Sequence, residues 1–194
     1  MERMGASDAE ALERARGGDT EAFRELVERY SPLVFRVAFR LTGNEHDAED
    51  VVQETFLRAF RRLGVFEDRS SLGSWLYAIA SNCGYDVLRG RMRREKRFEE
   101  PEGEDEAGQD RFPSQDPLPD RLVFAAEVRR RVDTTLKRLS PAERTAFVLR
   151  HFEGRSIDEI GRALDLDQSA TKHSIFRAVQ KVRRALAPMV RTPA

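Results

Sequence analysis

The chain has 194 residues, enough for one or two small domains, and 35% of them are charged. Its 34 basic and 34 acidic side chains cancel, so net charge selects no partner, and a single cysteine, Cys83, excludes an intramolecular disulfide and a thiolate zinc cluster. No apolar run reaches membrane-spanning length or opens the chain as a signal segment, which leaves out membrane insertion and points to a cytoplasmic protein.

Strand signals are weak and period-3.6 patterning dominates, so the fold class is all-α. Helices are predicted over 7–16, 19–30, 32–43, 46–63, 71–94, 121–138, 141–152, 156–164 and 168–186. Charge is unevenly distributed along them. Residues 1–57 hold 7 basic and 13 acidic side chains, 58–98 hold 10 and 4, 99–120 hold 1 and 9, and 121–194 hold 16 and 8. Two basic segments are therefore separated by an acidic one, and the neutral total hides two candidate polyanion surfaces.

The helix DAEDVVQETFLRAF (47–60) is patterned with Val52, Phe56, Ala59, Phe60 and Leu63 on one face. Asp47, Asp50, Glu54, Arg58 and Arg61 share the other, with Val51 among them. That valine reads either as an isolated exposed residue or as the centre of a polar-rimmed docking surface. Asp47, Asp50 and Glu54 fall at i, i+3 and i+7, but no histidine or second acidic motif faces them. A metal site is set aside, and acids favoured at a helix N-terminus are the simpler account.

FEDRSSLGSWLYAIASNCGYDVLRGRMRREKR (66–97) is a polar loop running into a helix. Trp75, Leu76, Ile79, Ala80, Cys83 and Val87 make its apolar stripe, in which Cys83 is a small core residue. Six cations crowd its last nine residues: Arg89, Arg91, Arg93, Arg94, Lys96 and Arg97. Aromatics beside a basic track suit single-stranded nucleic acid, with rings stacking on bases and cations following the backbone. Trp75 and Tyr77 have core packing as their alternative reading. The following 99–120, rich in acid, glycine and proline, lacks the apolar surface to offset its ordering entropy and reads as a flexible linker between two helical domains.

In the C-terminal part, Ser140–Glu143 and Ser156–Glu159 are capping boxes, with Pro141 in the first helical position and Gly154 placed for a left-handed helix end. Two helices follow with almost nothing between them: Asp167 is placed to cap the second and Pro188 to end it. Thr171, Ile175, Ala178, Val179, Val182 and Leu186 gather inward. His173, Arg177, Gln180 and Arg184 gather outward, flanked by Lys172 and Arg183. The outward stripe suits phosphates and major-groove base edges, the alternative being a solvated face.

DAEDVVQETFLRAF, SWLYAIASNCGYDVLRGRMRR and LSPAERTAFVLRHFEGRSIDEIGRALDLDQSATKHSIFRA together resemble the extracytoplasmic-function (ECF) sigma factors of bacterial RNA polymerase, of the sigma-70 family, over about residues 18–98 and 122–187, in that family's order and spacing. The resemblance implies a region 2-like domain (1–98), a flexible acidic linker (99–121) and a region 4-like helix-turn-helix domain (122–194). It implies docking on core RNA polymerase, at the β′ clamp helices and the β flap, with Asp47, Asp50, Val51, Gln53, Glu54 and Arg58 at the core-polymerase surface. It assigns Phe66, Arg69, Ser71, Asn82, Arg89, Arg93 and Arg94 to the −10 element of promoter DNA. Ser169, Thr171, Lys172, His173, Ser174 and Arg177 fall to the −35 element, with Lys172 on phosphate and His173 and Arg177 nearest the bases. An anti-sigma factor is a further implied partner; no cofactor, metal or catalytic residue is.

The recognition helix departs from the family's Gly-Thr-Val-Lys-Ser-Arg. Ser169-Ala170-Thr171-Lys172-His173-Ser174 stands there, and the turn before it lacks the glycine often found. The departure bears on which −35 sequence is read. A stand-alone helix-turn-helix regulator would leave the 47–60 helix unexplained. An all-α nucleotide hydrolase using magnesium would leave the helix-turn-helix unexplained, and no nucleophile–base pair or P-loop supports it, with His46, His151 and His173 scattered.

Overall fold

The structure is a computed structural model that describes residues 6–66, 71–97 and 120–190; most of the predicted linker lies outside them. The described residues form helices α1 (Ala6–Arg16), α2 (Thr20–Thr42), α3 (Glu45–Arg62), α4 (Leu72–Arg97), α5 (Asp120–Lys137), α6 (Pro141–Phe147), α7 (Ile157–Leu164) and α8 (Gln168–Val190). A 3-10 turn, Leu63–Val65, follows α3, and a π turn, Val148–Phe152, extends α6. The all-α class is borne out, and the patterned segments are helices to within a few residues.

Two proline expectations fail. The predicted break before Pro32 is absent, and α2 runs unbroken through it. Leu26 on one side of the proline and Val34, Val37, Ala38 and Leu41 on the other belong to one buried face. Tertiary packing of that face outweighs the one backbone bond the proline removes, and the Ser31 hydroxyl donates to the Val27 carbonyl at 2.6 Å beside it. Pro188 does not end α8 either, which continues two residues past it to Val190.

α2, α3 and α4 pack on one another, with α1 laid along α2. Asp8 of α1 pairs with Arg29 and accepts from the Tyr30 hydroxyl at 2.7 Å, and Asp19 caps α2 by accepting from the amides of Glu21 and Ala22. On the C-terminal side α8 packs against α5, α6 and α7 over Leu136, Leu139, Phe147, Ala178 and Val182. Both predicted capping boxes form, at Ser140 and Ser156. Buried Glu143 does double duty, accepting from the Ser140 amide at 3.0 Å and from Lys181 Nζ of α8 at 2.7 Å. Burial alone would raise its pKa, but Lys181 and the Ser140 amide hold it below the ordinary carboxylate value. Gly154 adopts the predicted left-handed conformation, φ 64°.

The helix-turn-helix turn is tight without a turn glycine because Asp165 itself takes the left-handed conformation, φ 54°, which an aspartate tolerates better than most side chains. The glycine that matters lies one turn earlier. A Cβ on Gly161 would stand 2.9 Å from the Leu166 carbonyl oxygen and 3.2 Å from Thr171 Oγ1. Gly161→Ala is therefore expected to lower stability by about 1–2 kcal/mol through overpacking, read as a fall in the urea midpoint at unchanged slope.

α6 and α7 also pack against α4, and Ala146, Val148, Leu149, Ile160 and Leu164 join the buried core of the N-terminal helices. Arg40 of α2 pairs with Glu153 and lies 5.4 Å over the Phe152 ring, while the Arg155 guanidinium lies 4.0 Å over the ring of buried Tyr77. Arg144 of α6 is only 7% exposed, and its guanidinium occupies the space a Cβ on Gly43 would need. Burial, with the charge of Arg91 nearby, pushes its pKa down to about 10. Among the described residues five buried side-chain polar atoms lack a hydrogen-bond partner: Tyr77 Oη, Asn82 Oδ1, Arg144 Nε, Thr145 Oγ1 and Arg155 Nε.

Candidate functional site

Three helix faces carry the residues singled out in the sequence, and the structure sorts them sharply. On α3 the buried face is Ala48, Val51, Thr55, Phe56 and Ala59. It is rotated from the predicted stripe toward the small residues, because α3 is flanked by both α2 and α4 and small side chains let them approach. Val51 is 0% exposed, so it is a core residue and not the centre of a docking surface. Phe60, assigned to the core from the sequence, is instead 51% exposed and meets Phe23 edge-on at 5.0 Å. Leu57 beside it is 52% exposed.

The polar residues of α3 divide as well. Asp47 accepts from the Asn44 amide group at 2.7 Å, with Arg91 Nη1 at 4.0 Å. Glu54 accepts from Arg58 Nε at 2.6 Å, and Arg58 reaches Asp86 of α4 at 3.4 Å. These three form a lateral seam with α4. Asp50 and Gln53 stand fully outward, next to Glu49 and the exposed Leu57–Phe60 pair. That apolar pair is the feature sequence periodicity missed: Phe60 reads as core until the flanking helices are known, and Leu57 falls on neither predicted face.

On α4 the expected apolar stripe is buried or half-buried. Arg89, Arg93 and Arg94 are exposed on its C-terminal half, with the Arg89 guanidinium 5.5 Å over the Tyr85 ring. Asn82 is half-buried, and its unpartnered Oδ1 is the kind of polar atom that calls for an explanation in a folded protein. One expectation in the preceding loop is corrected. Phe66 is buried, its ring 4.8 Å from that of Trp75 and under the Arg16 guanidinium, so it closes the core at the start of α4. The Ser71 hydroxyl accepts from the Ser74 amide at 3.2 Å, which makes it the α4 cap. Arg69 lies outside the described residues.

On α8, Asp167 caps the helix as expected, accepting from the Ala170 amide at 2.7 Å. Ser169, Lys172, His173 and Arg177 are exposed and Ser174 is half-exposed. Thr171 is buried, its hydroxyl donating to the Asp167 carbonyl at 2.8 Å, and it packs toward Gly161. It holds the two helices together and cannot contact a ligand. Phe176 joins the free face, 60% exposed and three residues from His173. The same spacing that grouped His173 with Arg177 would have found it.

Among the described residues no helix is long and apolar enough to cross a membrane. Residues 26–94 match the sigma-70 region 2 family, and residues 129–182 match the sigma-70 region 4 family. The chain is 32% identical over 191 residues to the RNA polymerase sigma-H factor of Pseudomonas aeruginosa, covering 95% of this chain and 96% of that one. It is 36% identical over 165 residues to the ECF RNA polymerase sigma factor SigE of Mycolicibacterium smegmatis, covering 84% of this chain but 61% of the relative. Among solved structures it resembles the sigma factor RpoE of Bartonella quintana in complex with the anti-sigma factor NepR, with a TM-score of 0.59, 25% identity, and coverage of 85% of this chain and 96% of that one.

Proposed function

Because the chain belongs to the extracytoplasmic-function sigma factors of the sigma-70 family, which bind RNA polymerase and direct promoter-specific transcription initiation, we propose that three free helix faces divide that task. The proposed domains are 1–98 for region 2 and 122–194 for region 4, with 99–121 between them; family matches over 26–94 and 129–182 support the division. The outward face of α3, with Asp50 and Gln53 beside Leu57 and Phe60, docks on the β′ clamp helices. An apolar centre with a polar rim is what a desolvated docking patch needs. Asp47, Glu54 and Arg58 shape its edge through their contacts with α4. The C-terminal helices engage the β flap. Asn82, with Arg89, Arg93 and Arg94, takes the −10 element as it opens. An anti-sigma factor is the inhibitory partner, in line with the Bartonella relative's complex.

The observation that carries the reading is the free face of α8. Lys172, His173, Phe176 and Arg177 are all exposed opposite a buried stripe, giving a cation, an imidazole, an apolar ring and a planar fork on one helix side. Duplex reading uses those chemistries: cations for phosphates, bidentate arginine for guanine, apolar contact for thymine methyls. Run-off transcription with added core polymerase, with the starts sequenced across the host genome, tests it. Starts that share two upstream elements are expected; no sigma-dependent start would end the reading.

Lys172 and Arg177 should separate on that face. Lys172 Nζ now donates to Gln168 at 3.0 Å on the flank near the helix start, within reach of a phosphate. Lys172→Ala should weaken all −35 sequences alike and reduce the salt slope by roughly one unit. Arg177→Ala should lose about 1–3 kcal/mol on the preferred sequence and far less on scrambled ones. Holoenzyme binding to a −35 library at several salt concentrations checks both. Uniform weakening by Arg177→Ala would make it a backbone contact.

A further inference from the structure

Resting on the duplex-reading role given to α8 above, we propose that His173 is a proton-dependent specificity residue. It takes up a proton as the helix enters the groove, and in its charged form it selects guanine at one −35 position. Lys172 and Arg177 supply fixed charges on the free face, and His173 stands exposed between them. Ser174, the next residue, occupies the place where the family pattern has an arginine. The helix thus carries a conditional cation beside the position of a missing permanent one. Histidine is the side chain whose charge ordinarily changes between about pH 5 and 8.

No group of the protein holds that proton. Among the described residues His173 has neither a hydrogen bond nor an ion pair. The acids of the elements packed around α8 are engaged elsewhere. Asp167 accepts from the Ala170 amide as the cap, Asp158 of α7 meets the Gln168 amide group at 3.5 Å, and Glu159 closes the α7 capping box. On α6, Glu143 is taken by Lys181. On α5, Glu127 closes on Arg130 and Arg131, and Asp133 lies within the field of Arg129, Lys137 and Arg144. Asp165 is exposed in the turn before the cap. The charges beside His173 on its own helix, Lys172 and Arg177, are positive, as is the exposed Arg162 of α7. In the free protein they disfavour an imidazolium. Docking reverses that field, because a duplex carries one negative charge per about 1.7 Å of its axis. A group that holds its proton more tightly in the complex strengthens binding at low pH and weakens it as pH rises.

The base choice follows from the donor count. Imidazolium has two N–H donors and no acceptor, whereas the neutral ring has one of each. Guanine offers N7 and O6 side by side in the major groove, both acceptors, while adenine sets its N6 amino donor beside N7. An imidazolium N–H is shared between the two guanine acceptors but faces an opposing donor on adenine. The neutral ring, with its bare nitrogen turned to the base, accepts from adenine N6 instead. Arg177 has no such freedom, because a guanidinium does not give up its proton.

The test binds holoenzyme containing the full chain to a duplex library randomised across the −35 element, at pH values of about 6 and about 8. The ratio of bases at one position within one sample cancels pH effects on the polymerase and on the other histidines. One position should favour guanine over adenine roughly tenfold at the lower pH and about twofold or less at the higher. The remaining positions should keep their ratios. His173→Arg should hold the guanine preference there at both pH values, and His173→Gln should turn it to adenine at both, since a glutamine amide matches N6 and N7. Both variants replace an exposed side chain, and an unchanged thermal midpoint checks that they fold. A library in which no base ratio moves with pH overturns the proposal, as does one whose ratio moves equally in His173→Gln. Wild-type holoenzyme that binds every member alike at both pH values would end the sigma-factor reading itself, and this proposal with it.

Discussion

Val51→Lys should unfold the N-terminal helices. The valine is fully buried in the core shared by α2, α3 and α4, and the Thr55 hydroxyl beside it is already bonded back to the Val51 carbonyl at 2.6 Å. A lysine there has no carboxylate to meet. Leaving a charge buried and uncompensated costs about 3–5 kcal/mol, a large share of a small protein's stability. The urea midpoint of the full chain measures it, and Val51→Ala should show a smaller loss through the cavity it leaves. Loss of polymerase binding by Val51→Lys at an unchanged midpoint would put the valine back on the surface.

Leu57→Glu should do the opposite, sparing the fold and abolishing docking. Its side chain is half in water, so a glutamate at this helix position is tolerated, but at the centre of a desolvated patch the carboxylate would be buried against the partner. Central anchors of this kind are worth about 2–4 kcal/mol, or roughly 30- to 1,000-fold in affinity. Phe60→Ala is the companion, and it also gives up the edge-on contact with Phe23, worth about 0.5–1.5 kcal/mol. Fluorescence anisotropy of labelled protein against core polymerase would read both. Wild-type affinity in Leu57→Glu would move the docking surface off this face of α3.

Much of this was legible from residues alone, where the signal was local. Capping boxes, the Asp167 cap and the left-handed Gly154 are set within a few residues of themselves, and each formed. The inward stripe of α8 was legible too, because one broad apolar face meets its neighbours. α3 was harder. A helix gripped from two sides buries an arc that its own hydrophobicity does not centre, so Val51 and Phe60 exchanged places. Thr171 and Phe66 were likewise drawn toward the ligand by their position in a motif, when their neighbours hold them in the core. Nothing in the chain's periodicity announces the packing of the C-terminal segments on α2 and α4, since contacts made by Arg40, Tyr77, Arg144 and Glu153 join positions far apart in sequence.

The π turn at Val148–Phe152 fixes the phase of everything beyond it. Its wide loop, closed by the Glu153 amide on the Val148 carbonyl at 3.2 Å, amounts to one residue inserted into a helix that began as α. Each helical residue turns the chain by about 100°. Deleting one residue from 148–152 would let α6 run on regularly and swing the exit toward Gly154 by that angle, carrying Glu153 away from Arg40 and changing the direction in which α7 departs. A comparison of chain lengths across this short stretch in relatives would then sort them by geometry: those one residue shorter should be unable to bring the end of this turn onto α2 as this chain does, whatever residues they carry at the ion pair.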